Sequence, residues 1–242
     1  MGRGALEASQ KGDHGMVKQL WIGGLVLLLG GAPGLAPPAI AAIVAQVETI
    51  QQLFERGNRA QDRGNYAEAE RIFREVLRRT PNDAEAHTNL GIALADQGNL
   101  EGAIASYREA LRLNPNLADA HYNLGNGLYI QGNLEGSIAS HREALRLNPN
   151  LVEAHVVLGN ALADQGNLED AIASYREALR INPNLAYAHH DLGVALFQRD
   201  RPGDLEAAIA HYDRALAIAP NYIDAQNNRR TAQERLDARR RR

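Results

Sequence analysis

The chain has no cysteine. That excludes disulfide staples, thiolate metal sites, a cysteine nucleophile and a lipid-modified cysteine behind the apolar N-terminal stretch. It also has no glycine-rich phosphate loop and no HxxxH pair, so the local signatures of nucleotide binding and zinc hydrolysis are missing. No nucleophile–base pairing follows from the residue positions. The chain therefore reads as a non-enzyme, without catalytic, metal-binding or cofactor-binding residues. Long apolar runs are lacking too. The stretch Leu20–Leu29 falls well short of the roughly 20 residues a membrane-spanning helix needs.

What stands at the N-terminus follows the export pattern. Lys18 precedes the apolar stretch, a Gly/Pro-rich segment (GGAPGLAPP) follows it, and small residues end near Ala39-Ile40-Ala41. A charged start, a short apolar run and a small-x-small site mark a secretory signal. Residues 1–45 are expected to be an export signal removed after Ala41 or Ala45, or an uncleaved membrane anchor if the span extends through Gly30–Pro38. Met16 is a plausible true start, since Met-Val-Lys then opens the signal directly. No arginine pair precedes the run, which favours the general export route.

The rest of the chain copies itself every 34 residues. Ala86–Leu117 and Ala154–Leu185 differ at five of 32 positions, and a further copy, Ala120–Leu151, lies between them. A fixed period of this length marks a stack of small units and not one globular core. Five copies are read at 50–83, 84–117, 118–151, 152–185 and 186–222, the last with three extra residues around Arg199–Gly203. With 84–117 numbered 1–34, His87, Leu90, Gly91 and Leu94 form one helical stripe. Leu100, Ala103, Ile104, Tyr107, Ala110 and Leu111 form a second. Gly98 stops the first helix, Asn99 is placed to cap the second, and Asn114-Pro115-Asn116 ends the unit. Small residues at 8 and 20 (Gly91, Ala103) let the two helices approach. Copy three, with Ser137 for Ala and an extra Gly127, is expected to be the loosest middle unit.

Leu/Gly at 7–8, a large residue at 11, Gly at 15, Ala at 20, an aromatic at 24, Ala at 27 and Pro at 32 resemble the tetratricopeptide repeat. The resemblance covers 50–222. It implies an all-α, right-handed superhelical solenoid of five antiparallel helix pairs, with a concave groove lined mainly by first helices. The chain departs from the pattern at His87, His121, His155 and His189, which replace a frequent tryptophan, and at His141, which replaces the aromatic at 24. Arg56 and Ala60 depart from it in the first copy, whose first helix is the weakest match. The four repeated histidines look like a ligand ladder, but each falls on its own unit's buried stripe and is read as a packing residue. Ile223–Leu236 resembles the solvating helix that often ends such arrays, with an Arg-rich tail to 242.

Positions 2, 6, 9 and 13 lie opposite the buried stripe, and position 5 flanks them. The candidate peptide-binding groove is therefore Asn58, Glu85, Asn89, Asp96, Asp119, Tyr122, Asn123, Asn126, Glu153, Asn160, Asp164, Tyr187, His190 and Asp191. The near-identical copies two and four differ mostly at positions 5, 6 and 9, as expected if each copy reads a different part of a protein partner; free drift of exposed positions is the alternative. No Lys or Arg occurs in the first helices of copies two to five up to Gln198, whereas Arg108, Arg112, Arg142, Arg146, Arg176 and Arg180 lie on second helices. Residues 50–222 hold 23 acidic and 16 basic residues, and a cleft of one sign favours the opposite charge. The expected partner is an extended protein segment, neutral or basic, met during assembly of an envelope complex. Asparagine amides can pair with any peptide backbone, and some long members of the resembled family line their groove so; Asn89 and Asn123 match them. Members that clamp an acidic C-terminal tail use Lys and Arg at positions 2, 5 and 6. Glu85, Asp119, Asn123 and Glu153 stand there instead and argue against that ligand class, and no small-molecule substrate is expected.

From 223 onward seven arginines face three acids. Arg239–Arg242 is read as a weak contact to an anionic membrane, as a solvated helix end, or as a tail that docks in the acidic groove. Export argues against nucleic acid as a partner, and contact with a membrane surface or nucleic acid through this tail is the alternative function.

Overall fold

The computed structural model describes residues 19–22, 25–28 and 48–241, in two compact units, 1–53 and 54–242. In the first unit, strands β1 (Gln19–Ile22) and β2 (Leu25–Leu28) pair antiparallel, Leu20 opposite Leu27 and Trp21 opposite Val26. This hairpin, whose Trp, Ile and Val are strand formers, lies outside the 50–222 stretch for which the all-α solenoid is expected, and that expectation holds. The rest of the export-signal or anchor segment, with Met16 and both cleavage positions, lies outside the described residues. Among the described residues no helix is long and apolar enough to cross a membrane.

Helix α1 (Ile50–Asp62) opens the repeat array. Its partner α2 (Tyr66–Arg79), four further helix pairs and a last helix complete it: α3 (Ala84–Asp96), α4 (Leu100–Leu113), α5 (Ala118–Ile130), α6 (Leu134–Leu147), α7 (Val152–Asp164), α8 (Leu168–Ile181), α9 (Ala186–Arg199), α10 (Asp204–Ile218) and α11 (Ile223–Arg240). From α2 onward consecutive helices pack on one another, and α1 meets α2 through the Phe54 and Phe73 rings, 5.8 Å apart, the arrangement of an all-α solenoid. The turns explain the period. Gly98 takes φ +79°, and Asn99 accepts the Gly102 N–H at 3.0 Å, capping α4; Asn65, Asn133 and Asn167 cap their helices alike. Asn114 folds the closing turn by accepting the Asn116 N–H at 3.0 Å.

The histidine ladder is a correction. His87, His121 and His155 are only half-buried. Each brings Nε2 to 3.0 Å from the proline carbonyl that closes the preceding unit: Pro81, Pro115 and Pro149. His189 does so to Pro183 at 3.2 Å and is buried. These residues tie units together through a polar bond, because an imidazole N–H next to an unpaired carbonyl gains more as a donor than as apolar filler.

The extra glycine of copy three does not leave a gap. A Cβ on Gly127 would lie 3.0 Å from Ile104, so this glycine marks a close approach to α4. The cost of copy three is polar instead. His141 and Ser137 are both 0% exposed, and Ser137 Oγ, both His141 ring nitrogens and Asn126 Oδ1 have no hydrogen-bond partner. In the first copy, α1 forms despite Arg56 and Ala60. Ala60 is buried, and Gly57 lets the Phe73 ring come within 2.6 Å of where a Cβ would stand.

The three-residue insert of copy five is a structured corner. Asp200 adopts left-handed backbone (φ 57°), which aspartate tolerates better than most residues. Asp204, 5% exposed, accepts two bonds from Arg199 at 2.7 and 2.9 Å and the Arg201 N–H. The last helix runs beyond Leu236 to Arg240. Arg235 and Arg239 reach Asp200 at 2.5 and 2.6 Å, Arg240 reaches Glu206 at 3.6 Å, and Arg229 pairs with Asp213. Arg235 also lies 4.9 Å above the Phe197 ring. Within the tail, Arg239 and Arg240 therefore bind copy five and not the acidic groove; Arg242 lies outside the described residues.

Candidate peptide-binding face

First helices neighbour one another along the array, α3 with α5, α5 with α7, α7 with α9 and α9 with α11, while no two second helices come as close. Positions 2, 6, 9 and 13 thus share one continuous face. Between α3 and α5 a cavity of about 560 Å³ gathers Glu85, Asn89, Asp119, Tyr122 and Asn123. Deeper along the same two helices, Asp96, Asn123 and Asn126 meet Ile92, Tyr107 and Ile130, and Ile130 is 72% exposed. Between α7 and α9, Asn160, Asp164 and Asp191 meet Tyr129 and Tyr175 in a third concavity. Glu153 and Tyr187 are exposed at the starts of α7 and α9, and Asn58 is exposed on α1; none of the three lines these cavities.

Two features differ from the expected groove. Position 5 belongs partly to the packing: Thr88 is buried with its hydroxyl on the Ala84 carbonyl at 3.0 Å, and Val156 is buried. His190 is already engaged, with Nδ1 2.9 Å from Asp191, Nε2 3.0 Å from the Asn228 amide of α11, and the Tyr222 ring at 4.9 Å. Variation at position 5 therefore tunes packing between units as well as contact with a ligand.

Sequence reasoning missed Tyr129. Its hydroxyl crosses from α5 to donate to Asp164 on α7 at 2.5 Å, and that bond, with partial burial, pushes its pKa up to about 12. The signal was visible: Tyr129 stands at position 12, where copies two and four carry Ala95 and Ala163. This bridge forms part of the wall of the α7–α9 concavity. Asn228 and Thr231 of α11 were also missed; they extend the face beside Val194, Phe197 and Gln198.

The charge segregation has a structural basis. Arg112, Arg146 and Arg180 each grip the glutamate three residues earlier (Glu109, Glu143, Glu177) at 2.7 Å on second helices, holding those carboxyls below their usual range. Arg199, at the end of α9, is tied to Asp204. Side-chain amides remain available: Asn160 accepts the Tyr175 hydroxyl at 2.7 Å through Oδ1, which leaves its two N–H donors.

A tetratricopeptide repeat profile matches residues 54–118, and a TPR repeat profile matches 125–166 and 159–200. The chain belongs to the tetratricopeptide repeat family. No curated protein matches it. Solved structures similar to this TPR chain include MamA, at 26% identity over 67% of this chain and 93% of that one, with a TM-score of 0.62. MamA 41-end from Desulfovibrio magneticus RS-1 is 25% identical over 72% and 96%, with a TM-score of 0.64. YrrB, described as a TPR protein with an unusual peptide-binding site, is 22% identical over 79% and 97%, with a TM-score of 0.66; at that identity the likeness is one of fold. The TPR fold is that of a protein–protein interaction scaffold, and its family is typically non-enzymatic.

Proposed function

We propose that this TPR protein is an adaptor whose first-helix face holds an extended, neutral-to-basic protein segment during assembly of an envelope complex. The observation that carries the reading is the α3–α5 cavity, where Asn89 and Asn123 converge with Glu85 and Asp119 and no cation. The amides supply donors and acceptors for a peptide backbone of any sequence, and the carboxylates select charge. The N-terminal signal pattern supports an exported or membrane-anchored location. The alternative, contact with a membrane or nucleic acid through the arginine tail, loses support from the pairing of Arg239 with Asp200 and Arg240 with Glu206.

The test is fluorescence anisotropy of the full chain with extended peptides matched in length and differing in charge. Lys/Arg-containing and neutral peptides should bind, acidic ones should not, and N89A/N123A should weaken binding about tenfold, the loss of one or two net hydrogen bonds. Equal binding of acidic peptides, or an unchanged affinity in the double variant, would remove the groove reading.

A further inference from the structure

The end of the array is held by two successive histidines whose bonding depends on bare ring nitrogens. His189 Nε2 faces the Pro183 carbonyl and must carry the hydrogen there, so in the neutral ring Nδ1 is an acceptor. His211 Nδ1 lies 3.1 Å from it, the rings 5.3 Å apart, so His211 is the donor. His190 repeats the logic on the other side of α9. The amide nitrogen of Asn228 lies 3.0 Å from its Nε2 and can only donate, so Nε2 is bare and Nδ1–H points to Asp191. One histidine thus clamps α10 and its neighbour clamps α11. Adding a proton to His189 Nδ1 or His190 Nε2 sets two donors against each other.

The surroundings oppose that proton at the first clamp. Arg214 on α10 acts on His189, and Arg176 on α8 acts on His211. At the second clamp, Asp191 accepts from His190 Nδ1, while Tyr212 and Tyr222 supply ring contacts. Copies two to four carry Ser106, Ser140 and Ser174 where His211 stands, and Ser106 and Ser174 bond the carbonyl four residues back at 2.8 Å. The pair is therefore a device of the last copy alone.

We infer that the junction of α9 with α10 is an acid-labile clamp, which opens this end of the array on acidification before copies one, two and four. Burial holds His211 down to about 4 and lowers His189 from 6.5. The clamp is then intact above pH 6.5 and weakens progressively as pH falls towards 4, because the opened state takes up protons that the closed state refuses. Opening should rise about tenfold per pH unit for each proton taken up in that window. His141 places an independent acid cost in copy three, so the readout must be local.

Hydrogen exchange of the full chain, followed peptide by peptide from pH 7.5 to 5 and corrected for intrinsic rates, tests this. The comparison variant is H189Q/H211S. Gln226 already makes the same bond to a proline carbonyl at 2.8 Å, and serine is the array's own residue at the second position, so the variant introduces no foreign geometry. Opening of α10 in the parent should rise about tenfold per pH unit for each proton taken up while α3 and α4 hold, and the variant should lose most of that slope. A parent without the slope, or a variant that keeps it, overturns the clamp. Should the variant not fold, the imidazole nitrogen resonances of the parent decide instead. A His189 signal that titrates below the ordinary 6.5 supports the clamp, and one that titrates at 6.5 or above overturns it. A zinc-induced rise in the parent's Tm that is lost in H211S also overturns it, since the two nitrogens would then be metal ligands.

Discussion

Three of the orphaned polar atoms in copy three trace to one replacement. In copy four Tyr175 packs on Gly159 and its hydroxyl meets Asn160 Oδ1 at 2.7 Å. In copy three the corresponding residues are His141, Gly125 and Asn126. The imidazole reaches Gly125 but not Asn126, so Asn126 Oδ1 and both ring nitrogens stay unpaired. Substituting His141→Tyr should return the hydroxyl to the waiting amide and raise stability by about 1 kcal/mol, read as a Tm increase of a few degrees at pH 7.5. The gain should grow with acid. Burial pushes His141 down to about 4, so its neutral form contributes fully above pH 6.5 and the contribution is lost as pH falls towards 4, roughly 3 kcal/mol in all. A variant less stable than its parent at pH 7.5 would mean that the unit has closed around the smaller ring. The replacement of the aromatic was legible in the sequence. The orphaned atoms were not, because they depend on how far one ring reaches across two helices.

At the scale of the helix pair, the repeat signature was legible almost residue by residue, since a turn glycine, a capping asparagine and a closing proline each have one local job. The Gly159–Tyr175 contact shows why the mid-helix glycine is tolerated. A Cβ there would fall 2.5 Å from the ring, so G159A should destabilise the chain by about 1–3 kcal/mol through overpacking, outweighing the roughly 1 kcal/mol that alanine gains in helix propensity. A neutral result in denaturant unfolding would mean that the ring moves aside. The copy-five insert was read only as a length change. Its role emerges from partners 35 and 39 residues away, because Asp200 receives Arg235 and Arg239. D200N preserves the left-handed backbone that asparagine also accepts and removes the charge. It should cost about 1 kcal/mol and speed amide exchange in 235–240 while leaving α2 to α8 unchanged. Uniform exchange along α11 in parent and variant alike would show that the corner does not hold the helix.

For the whole molecule, periodicity determines the scaffold while the functional reading rests on what breaks the period. The face shared by α3, α5, α7 and α9 was located by helical geometry, yet the Tyr129–Asp164 bridge across it was not, because an aromatic in one copy alone marks a departure without naming the group it will touch. The array's charge and its amides should act on different steps of binding. Residues 50–222 carry a net −7, a field that reaches beyond contact distance and is screened within about 10 Å at 0.1 M salt. The Asn89 and Asn123 amides act only at contact. Raising salt from 50 to 500 mM should therefore slow association of a Lys/Arg-rich peptide severalfold with little change in dissociation. N89A/N123A should do the reverse, speeding dissociation about tenfold at every salt concentration. Stopped-flow measurement of both rates separates the two contributions. If salt and the double variant alter the same rate, field and amides are not independent, and the peptide would have to meet the acidic residues and the asparagines in a single step.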